Sequence, residues 1–513
     1  MRQLFGFTGG VKPASHKIES NQGPVRVAPL PAVLTVPLRQ NAGLASRPLV
    51  QAGDKVLKGQ LIAGPGGSIS VAIHAPTSGT VRGVETHSIP HPSGLLAPCV
   101  VIEADGEDRW IERTPVDPYA LPVDELRTRL RDAGVVGLGG AAFPSFVKTQ
   151  HGPTQRIDTL ILNGAECEPF ITCDDLLMRT QAGQILEGAA ILAHIAGAQR
   201  IVVGIEDNKP EAVAAMSEAA ARRTGLPVEV IAVPTRYPAG GEKQLIRVLT
   251  GIEVPFGKLP PDFGVQCFNV ATAYAAARAL LHGEPMISRL VTVTGNVARP
   301  GNFEVRIGTP IADLLQLAEP KADTDRNLMG GPMMGFALPT LDAPVIKATN
   351  CILAGSKALF PPPGPEMPCI RCGACARACP MDLQPFEMYW FSRARILGKA
   401  QEYHLFDCIE CGCCTYVCPS RIPLVDYFRF AKSEIRAREK EKEAADAARQ
   451  RYEFRLEREE REKQEKAAKL AAKAAETKAK LAQGGDADEK KALIAAAMAR
   501  TQEQKAEEKP GAE

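Results

Sequence analysis

Apolar positions change their rhythm several times along the 513-residue chain. Over 1–115 they come in short β-prone runs, Val33–Val36 and Val56–Ile62, cut by turn signals at Ala52-Gly53-Asp54 and Gly64-Pro65-Gly66-Gly67. This predicts a β-rich domain. From Pro122 helical and strand-like segments alternate: a helix over Asp124–Asp132, strands at Thr159–Leu162, Ile201–Ile205 and Val228–Val233, and helices over Leu186–Ile195, Pro210–Arg223 and from Asn269 to Leu281. Alternation of this kind predicts a parallel α/β domain over 122–285, with ligands at the C-terminal ends of strands and at helix N-termini. Leu290 to Leu315 returns to strands, a β-hairpin and a short helix, within a module over 286–345. The linker Pro361-Pro362-Pro363-Gly364-Pro365 opens a cysteine-rich domain over 360–430, and a charged segment fills 434–513. The fold class is therefore multidomain α/β.

Charge sharpens this only at the C-terminus. The formal net charge is +2, which argues against nucleic acid as a dominant partner. No run of about 18 apolar residues exists, so no transmembrane segment is expected. Met1 to Ser20 has no apolar stretch after Arg2, so no secretory leader is expected. In the cytoplasmic setting this implies, clustered cysteines bind metal more often than they pair. Residues 434–513 hold 20 basic and 19 acidic side chains, with opposite charges at helical spacing such as Glu459 and Lys463. They lack apolar heptads. The segment contains Gly484-Gly485, and the expectation is a solvated helix that dissolves into disorder, with partner docking as an alternative.

Nine of the 14 cysteines lie between Cys369 and Cys418. They form two runs, Cys369-x2-Cys372-x2-Cys375-x3-Cys379-Pro380 and Cys408-x2-Cys411-x2-Cys414-x3-Cys418-Pro419, each with the spacing of a two-cluster ferredoxin. Three cysteines of a tight loop reach three corners of one cubane, and the fourth, turned away before a proline, ligates the other cluster. The expected ligand sets are Cys369, Cys372, Cys375 and Cys418 for one [4Fe–4S] cluster, and Cys408, Cys411, Cys414 and Cys379 for the second. The segment between the runs suits helices, and Cys413 falls outside the spacing.

Three weaker signals lie upstream. Gly137-Leu138-Gly139-Gly140-Ala141-Ala142-Phe143-Pro144 precedes Lys148; glycines let backbone N–H groups cradle a phosphate, and Lys148 adds a point charge. A plain turn is the alternative. Asn163-Gly164-Ala165-Glu166-Cys167-Glu168-Pro169 ends a strand, where acids reach ribose hydroxyls or a flavin edge, or simply face solvent. Tyr237-Pro238-Ala239-Gly240-Gly241-Glu242-Lys243 opens a further helix.

Taken in order, "GLGGAAFPSFVK", "NGAECEP", "GGEK" and "NVAT" resemble the flavin- and NADH-binding subunit of respiratory complex I. With "FTGGVKP" (Phe7 to Pro13), "GGPMMGFALP" (Gly330 to Pro339) and both cysteine runs, residues 1 to about 430 resemble the C-subunit family of the Rnf ion-translocating electron-transport complex. Val50 to Val81 resembles a barrel-sandwich (lipoyl-like) hairpin, without a lysine at its Pro65-Gly66-Gly67-Ser68 tip, and the 286–345 module resembles the soluble-ligand-binding β-grasp fold. The resemblance implies noncovalent FMN and NAD(H). It places Gly137, Gly139, Gly140 and Lys148 at the FMN phosphate and ribityl chain. Asn163, Glu166, Glu168, Asn269 and Thr272 would line the flavin site, Phe143 would stack near the nicotinamide nucleotide, and Glu242 would sit close to it. It implies no separate catalytic side chain. It also implies a peripheral subunit on the cytoplasmic side of the cell inner membrane, held by the other subunits of an Rnf complex. Leu138, Ala142 and Lys243 depart from the complex I pattern, which holds arginine, glycine and glutamate there. These departures keep open an adaptor that carries clusters only; a complex that reduces a redox-sensing transcription factor is a second alternative.

Overall fold

The computed structural model describes residues 3–152, 155–482 and 487–507. They form two units, one through Lys432 and one from Ser433. At the heart of the first lie four parallel strands, β1 (Thr159–Gly164), β2 (Arg200–Glu206), β3 (Val228–Val233) and β4 (Val265–Asn269), in the order β3-β2-β1-β4. Each leads into a helix: α1 (Cys173–Ala196), α2 (Pro210–Ala221), α3 (Glu242–Thr250) and α4 (Val270–Leu281). Successive residues of β1 serve opposite faces. Leu160 and Leu162 pack with Leu186 and Ile191 of α1, while Ile161 packs with Leu245 and Leu249 of α3. A strand covered on both sides needs an unbroken apolar run, and each such side chain fully buried contributes about 1.5–3 kcal/mol. The chain moves outward from β1 to β2 and β3, then returns to β4 on the other side. The crevice beyond the C-terminal ends of β1 and β4 is therefore the switch point where α/β sheets bind ligands.

Helix α1 begins thirteen residues ahead of the Leu186–Ile195 pattern and bends at Gln181, whose φ is −130°. Its first turns carry Asp174 and Asp175, which are buried through hydrogen bonding rather than by apolar periodicity, so the pattern gave no sign of them.

The N-terminal domain is all β. One sheet holds Val33–Pro37, Leu96–Ala104, Gly79–Ser88 and Lys55–Val56, and a second holds Arg47–Pro48, Leu61–Gly64 and Ile73–His74. Val36, Val56, Ile62, Ile73, Val100 and Ile102 share one core. The expected hairpin is Ser288–Gly295 against Gly301–Arg306, antiparallel, followed by helix Ile311–Gln316. Its six-stranded sheet also recruits Arg26–Val27 and Cys351–Gly355 from outside 286–345. Buried Lys347 joins the pieces, its Nζ donating to the carbonyls of Ala72 at 3.2 Å and Gly134 at 2.6 Å. In the cysteine-rich region, helices Pro385–Arg393 and Leu397–Glu402 separate the two runs.

In the second unit residues 433–482 are helical, and Ala487–Glu507 is helical as well. From Glu439 onward almost every described side chain is exposed, and ion pairs such as Arg455–Glu459 and Lys480–Glu476 line the surface at i,i+4 spacing. Helix thus extends beyond the expected half; Gly484-Gly485 lies outside the described residues. Among the described residues no helix is long and apolar enough to cross a membrane.

Candidate functional site

The Gly-rich turn and the end of β4 meet at the switch point. Asn269 caps α4: its Oδ1 accepts the Ala271 N–H at 2.9 Å, and its Nδ2 donates to Asp174 Oδ2 at 2.6 Å. One turn later the fully buried Thr272 accepts the Leu138 N–H on Oγ1 at 2.9 Å and donates to the Val136 carbonyl at 3.4 Å. This pins the turn against the positive end of α4. Gly139, Gly140 and Ala141 stay exposed, and among the described residues no protein acceptor takes their N–H groups. Gly140 has φ +119°, open to glycine, and a Cβ there would meet nothing within 4 Å. Free N–H groups at a helix N-terminus fit a phosphate. Gly137 instead donates to the Phe143 carbonyl at 2.7 Å and closes the turn, leaving the Phe143 ring half-buried.

Lys148 and Glu242, assigned to different parts of the site by sequence, are brought together as an ion pair at 2.7 Å. Lys148 Nζ also donates to the Cys267 carbonyl at 2.7 Å. Asn163 ties the end of β1 to the third motif, its Nδ2 donating to the Gly240 carbonyl at 2.8 Å. The two acids turn inward. Glu166, at φ +46°, accepts the N–H groups of Asp174 at 2.7 Å and Asp175 at 3.3 Å and so caps α1. Burial pushes its carboxyl up to about 8, with Lys17 opposing the rise. Glu168 Oε1 accepts the N–H groups of Met333 at 2.7 Å and Met334 at 3.0 Å; burial raises its pKa too.

The cysteines converge on two cavities. Cys379, Cys408, Cys411 and Cys414 line one, walled by apolar side chains such as Leu383 and Phe428. Cys369, Cys372, Cys375 and Cys418 line another. None of the cysteines is in a disulfide, and Cys413 lines neither cavity. Four soft sulfur donors around one apolar space fit an iron–sulfur cubane. The cavities differ in setting. Cys379, Cys411 and Cys414 are buried, whereas Cys372 is exposed and its neighbour Ile370 is 67% exposed.

The first cavity abuts the α/β domain. Tyr237, at the end of the loop after β3, donates its hydroxyl to the Cys411 carbonyl at 2.7 Å, and Gln244 of α3 donates to the Pro380 carbonyl at 3.3 Å. An N-terminal strap completes the joint. Val11 bridges Tyr237, Gly10 donates to the Ala378 carbonyl at 2.9 Å, and at Gly9 (φ +66°) a Cβ would run into the Cys379 backbone. Lys17, Lys209 and Tyr237 were not singled out as site residues from the sequence. Lys17 lies 149 residues from Glu166 in the chain, and no local pattern links them.

Comparison with known proteins agrees with this layout. Four family models match in chain order: the RnfC barrel sandwich hybrid domain over 5–107, the Nuo51 FMN-binding domain over 130–278, the SLBB domain over 290–337 and the 4Fe-4S dicluster domain over 368–422. The C-subunit of the ion-translocating oxidoreductase complex of Salmonella dublin is 48% identical over 512 residues, covering 98% of this chain and 70% of that relative. The chain belongs to the C-subunit family of ion-translocating oxidoreductase complexes. The proteins of that name from Serratia proteamaculans and Pseudomonas aeruginosa are each 48% identical over 79% of this chain. The chain spans only 58% and 53% of their lengths. An NAD+-reducing [NiFe]-hydrogenase in its H2-reduced state aligns at 20% identity with a TM-score of 0.44, over 59% of this chain and 62% of that one. The multidomain α/β architecture expected from the sequence is borne out, and FMN and [4Fe–4S] clusters are the cofactors of its matched domains.

Proposed function

We propose that this chain passes electrons between NAD(H) and a partner subunit, through FMN at the switch point and then through two [4Fe–4S] clusters. One observation carries the reading. The α/β domain is joined to the cavity of Cys379, Cys408, Cys411 and Cys414 by the Tyr237–Cys411 and Gln244–Pro380 hydrogen bonds, while the other cysteine cavity holds the exposed Cys372. The exposed N–H groups of Gly139 and Gly140 would hold the FMN phosphate, with Gly137 and Thr272 shaping the turn. Asn163, Glu166, Glu168 and Asn269 would wall the flavin. Phe143, half-buried at the mouth, would receive the nicotinamide nucleotide, with the Lys148–Glu242 pair beside it. FMN supplies the conversion of a two-electron hydride into single electrons, which clusters carry one at a time.

The cysteines of the inner cavity would ligate the cluster nearer the flavin, and Cys369, Cys372, Cys375 and Cys418 the outer one. The family name of the relatives supports a place in an ion-translocating complex. A chain with no spanning helix among its described residues would sit peripherally there, on the cytoplasmic side of the inner membrane, held by other subunits.

An anaerobic NADH titration of the purified chain, followed by flavin absorbance and low-temperature EPR, tests the path. Flavin bleaching together with reduced-cluster signals is the expected result. Clusters that respond to dithionite but not to NADH, without bound flavin, would instead make the chain an adaptor.

A further inference from the structure

Two buried ammonium groups lie beneath a single turn of the proposed flavin site. Lys17, 6% exposed, donates to the carbonyls of Glu166 at 2.8 Å, Glu168 at 2.9 Å and Ile171 at 2.6 Å. Lys209, 1% exposed, donates to the Ala165 carbonyl at 2.7 Å, to Asn208 Oδ1 at 2.8 Å and to Glu206 Oε2 at 3.3 Å. A lysine has three donors, and all three are used in each case. Burying an ammonium costs several kcal/mol, so two together beneath one turn are not explained by stability.

The geometry fixes which way the turn's amides point. In a planar trans peptide the N–H is opposite the C=O. With the Ala165 and Glu166 carbonyls drawn down onto the lysines, the N–H groups of Glu166 and Cys167 point away from them. Among the described residues neither N–H has an acceptor. Glu166 stands at φ +46°, the left-handed conformation that turns successive N–H groups into one anion-attracting concavity.

We infer that Lys17 and Lys209 are positioning residues for the bound flavin, aiming the Glu166 and Cys167 N–H dipoles at the charge that reduction adds. This rests on the flavin reading above. A hydride carries two electrons and one proton, so its acceptor gains one negative charge while the nicotinamide ring left behind becomes cationic. Oriented N–H groups hold the more negative state tighter than the oxidised one, helped by the Lys17 ammonium, while Glu206 offsets the charge of Lys209; this raises the two-electron potential.

The test uses the full chain reconstituted with FMN. It measures the midpoint potential by anaerobic spectroelectrochemistry and the FMN affinity in both redox states. Lys17→Met should keep oxidised-state affinity within threefold and lose at least tenfold in the reduced state, a fall of about 30 mV for a two-electron couple. Lys17→Arg, which keeps the charge, should stay within threefold of wild type in both states. Lys17→Gln, with two donors and no charge, should fall between, and this pair carries the test if Lys17→Met does not fold. Equal losses in both states, with an unmoved potential, would make Lys17 a structural strut and overturn the inference alone. A wild-type chain that takes up no FMN would bring down the flavin reading and this inference together.

Discussion

The cysteine cavities make a paired substitution informative. Cys418→Ser removes one sulfur from the cavity that also holds Cys369, Cys372 and Cys375; Cys379→Ser removes one from the cavity of Cys408, Cys411 and Cys414. Each variant should fall from about eight to about four irons per chain, because a cubane with three thiolates is easily lost while its neighbour keeps all four. By iron count the two should look alike. They should differ in which cluster survives. After Cys418→Ser the remaining cluster is the inner one, joined to the α/β domain through Tyr237 and Gln244, and NADH should still reduce it at full speed. After Cys379→Ser only the outer cluster remains. Electron transfer falls exponentially with distance, so that cluster should respond to dithionite promptly and to NADH only sluggishly. Stopped-flow absorbance with freeze-quench EPR separates the cases. If each run instead supplied all four ligands of its own cluster, Cys418→Ser would lose the inner cluster and the two kinetic phenotypes would exchange. That exchange would refute the cross-ligation, and equal NADH reduction in both variants would refute the order of the clusters.

Other substitutions probe the scaffold around the site. Thr272→Val strands the buried Leu138 N–H and should cost about 1–3 kcal/mol in urea unfolding, with a parallel fall in retained FMN; full FMN occupancy would show that the turn does not depend on this bond. Tyr237→Phe deletes the hydroxyl bond to Cys411 and should cost about 1 kcal/mol while slowing cluster reduction by NADH; an unchanged rate would remove Tyr237 from the joint. Burial lowers the Lys347 pKa from 10.5 to about 7. Between those values the unfolded chain keeps a proton that the native state has released, so stability rises with pH across this window. At 1.36 kcal/mol per pH unit the rise is at most about 5 kcal/mol, and the Ala72 and Gly134 carbonyls, which favour the ammonium, make it smaller. Lys347→Met should flatten the slope between pH 7 and 10.5, and an unaltered slope in denaturant titrations would contradict that assignment.

Motifs with local geometry were legible from the residues alone. The double cysteine spacing sets which side chains a tight loop can bring to one cubane; in the fold Cys418 lines the cavity of Cys369, Cys372 and Cys375, and Cys379 that of Cys408, Cys411 and Cys414. The strands and helices of the α/β domain were legible because a strand buried on both faces is an apolar run and its covering helices carry apolar stripes. The early turns of α1 were not, because Asp174 and Asp175 are held there by Glu166 and Asn269 rather than by hydrophobic periodicity.

What the sequence determined by itself is the inventory: a β-rich head, a parallel α/β domain, a β-grasp hairpin, two four-cysteine runs and a charged helix. Each depends on interactions between residues near in the chain. What only the tertiary structure decided is adjacency. It pairs Lys148 with Glu242, sets Tyr237 on Cys411, and threads the N-terminal strap so that Lys17 collects carbonyls about 150 residues away. A buried ammonium needs three acceptors wherever the fold supplies them, and that demand has no period along the chain.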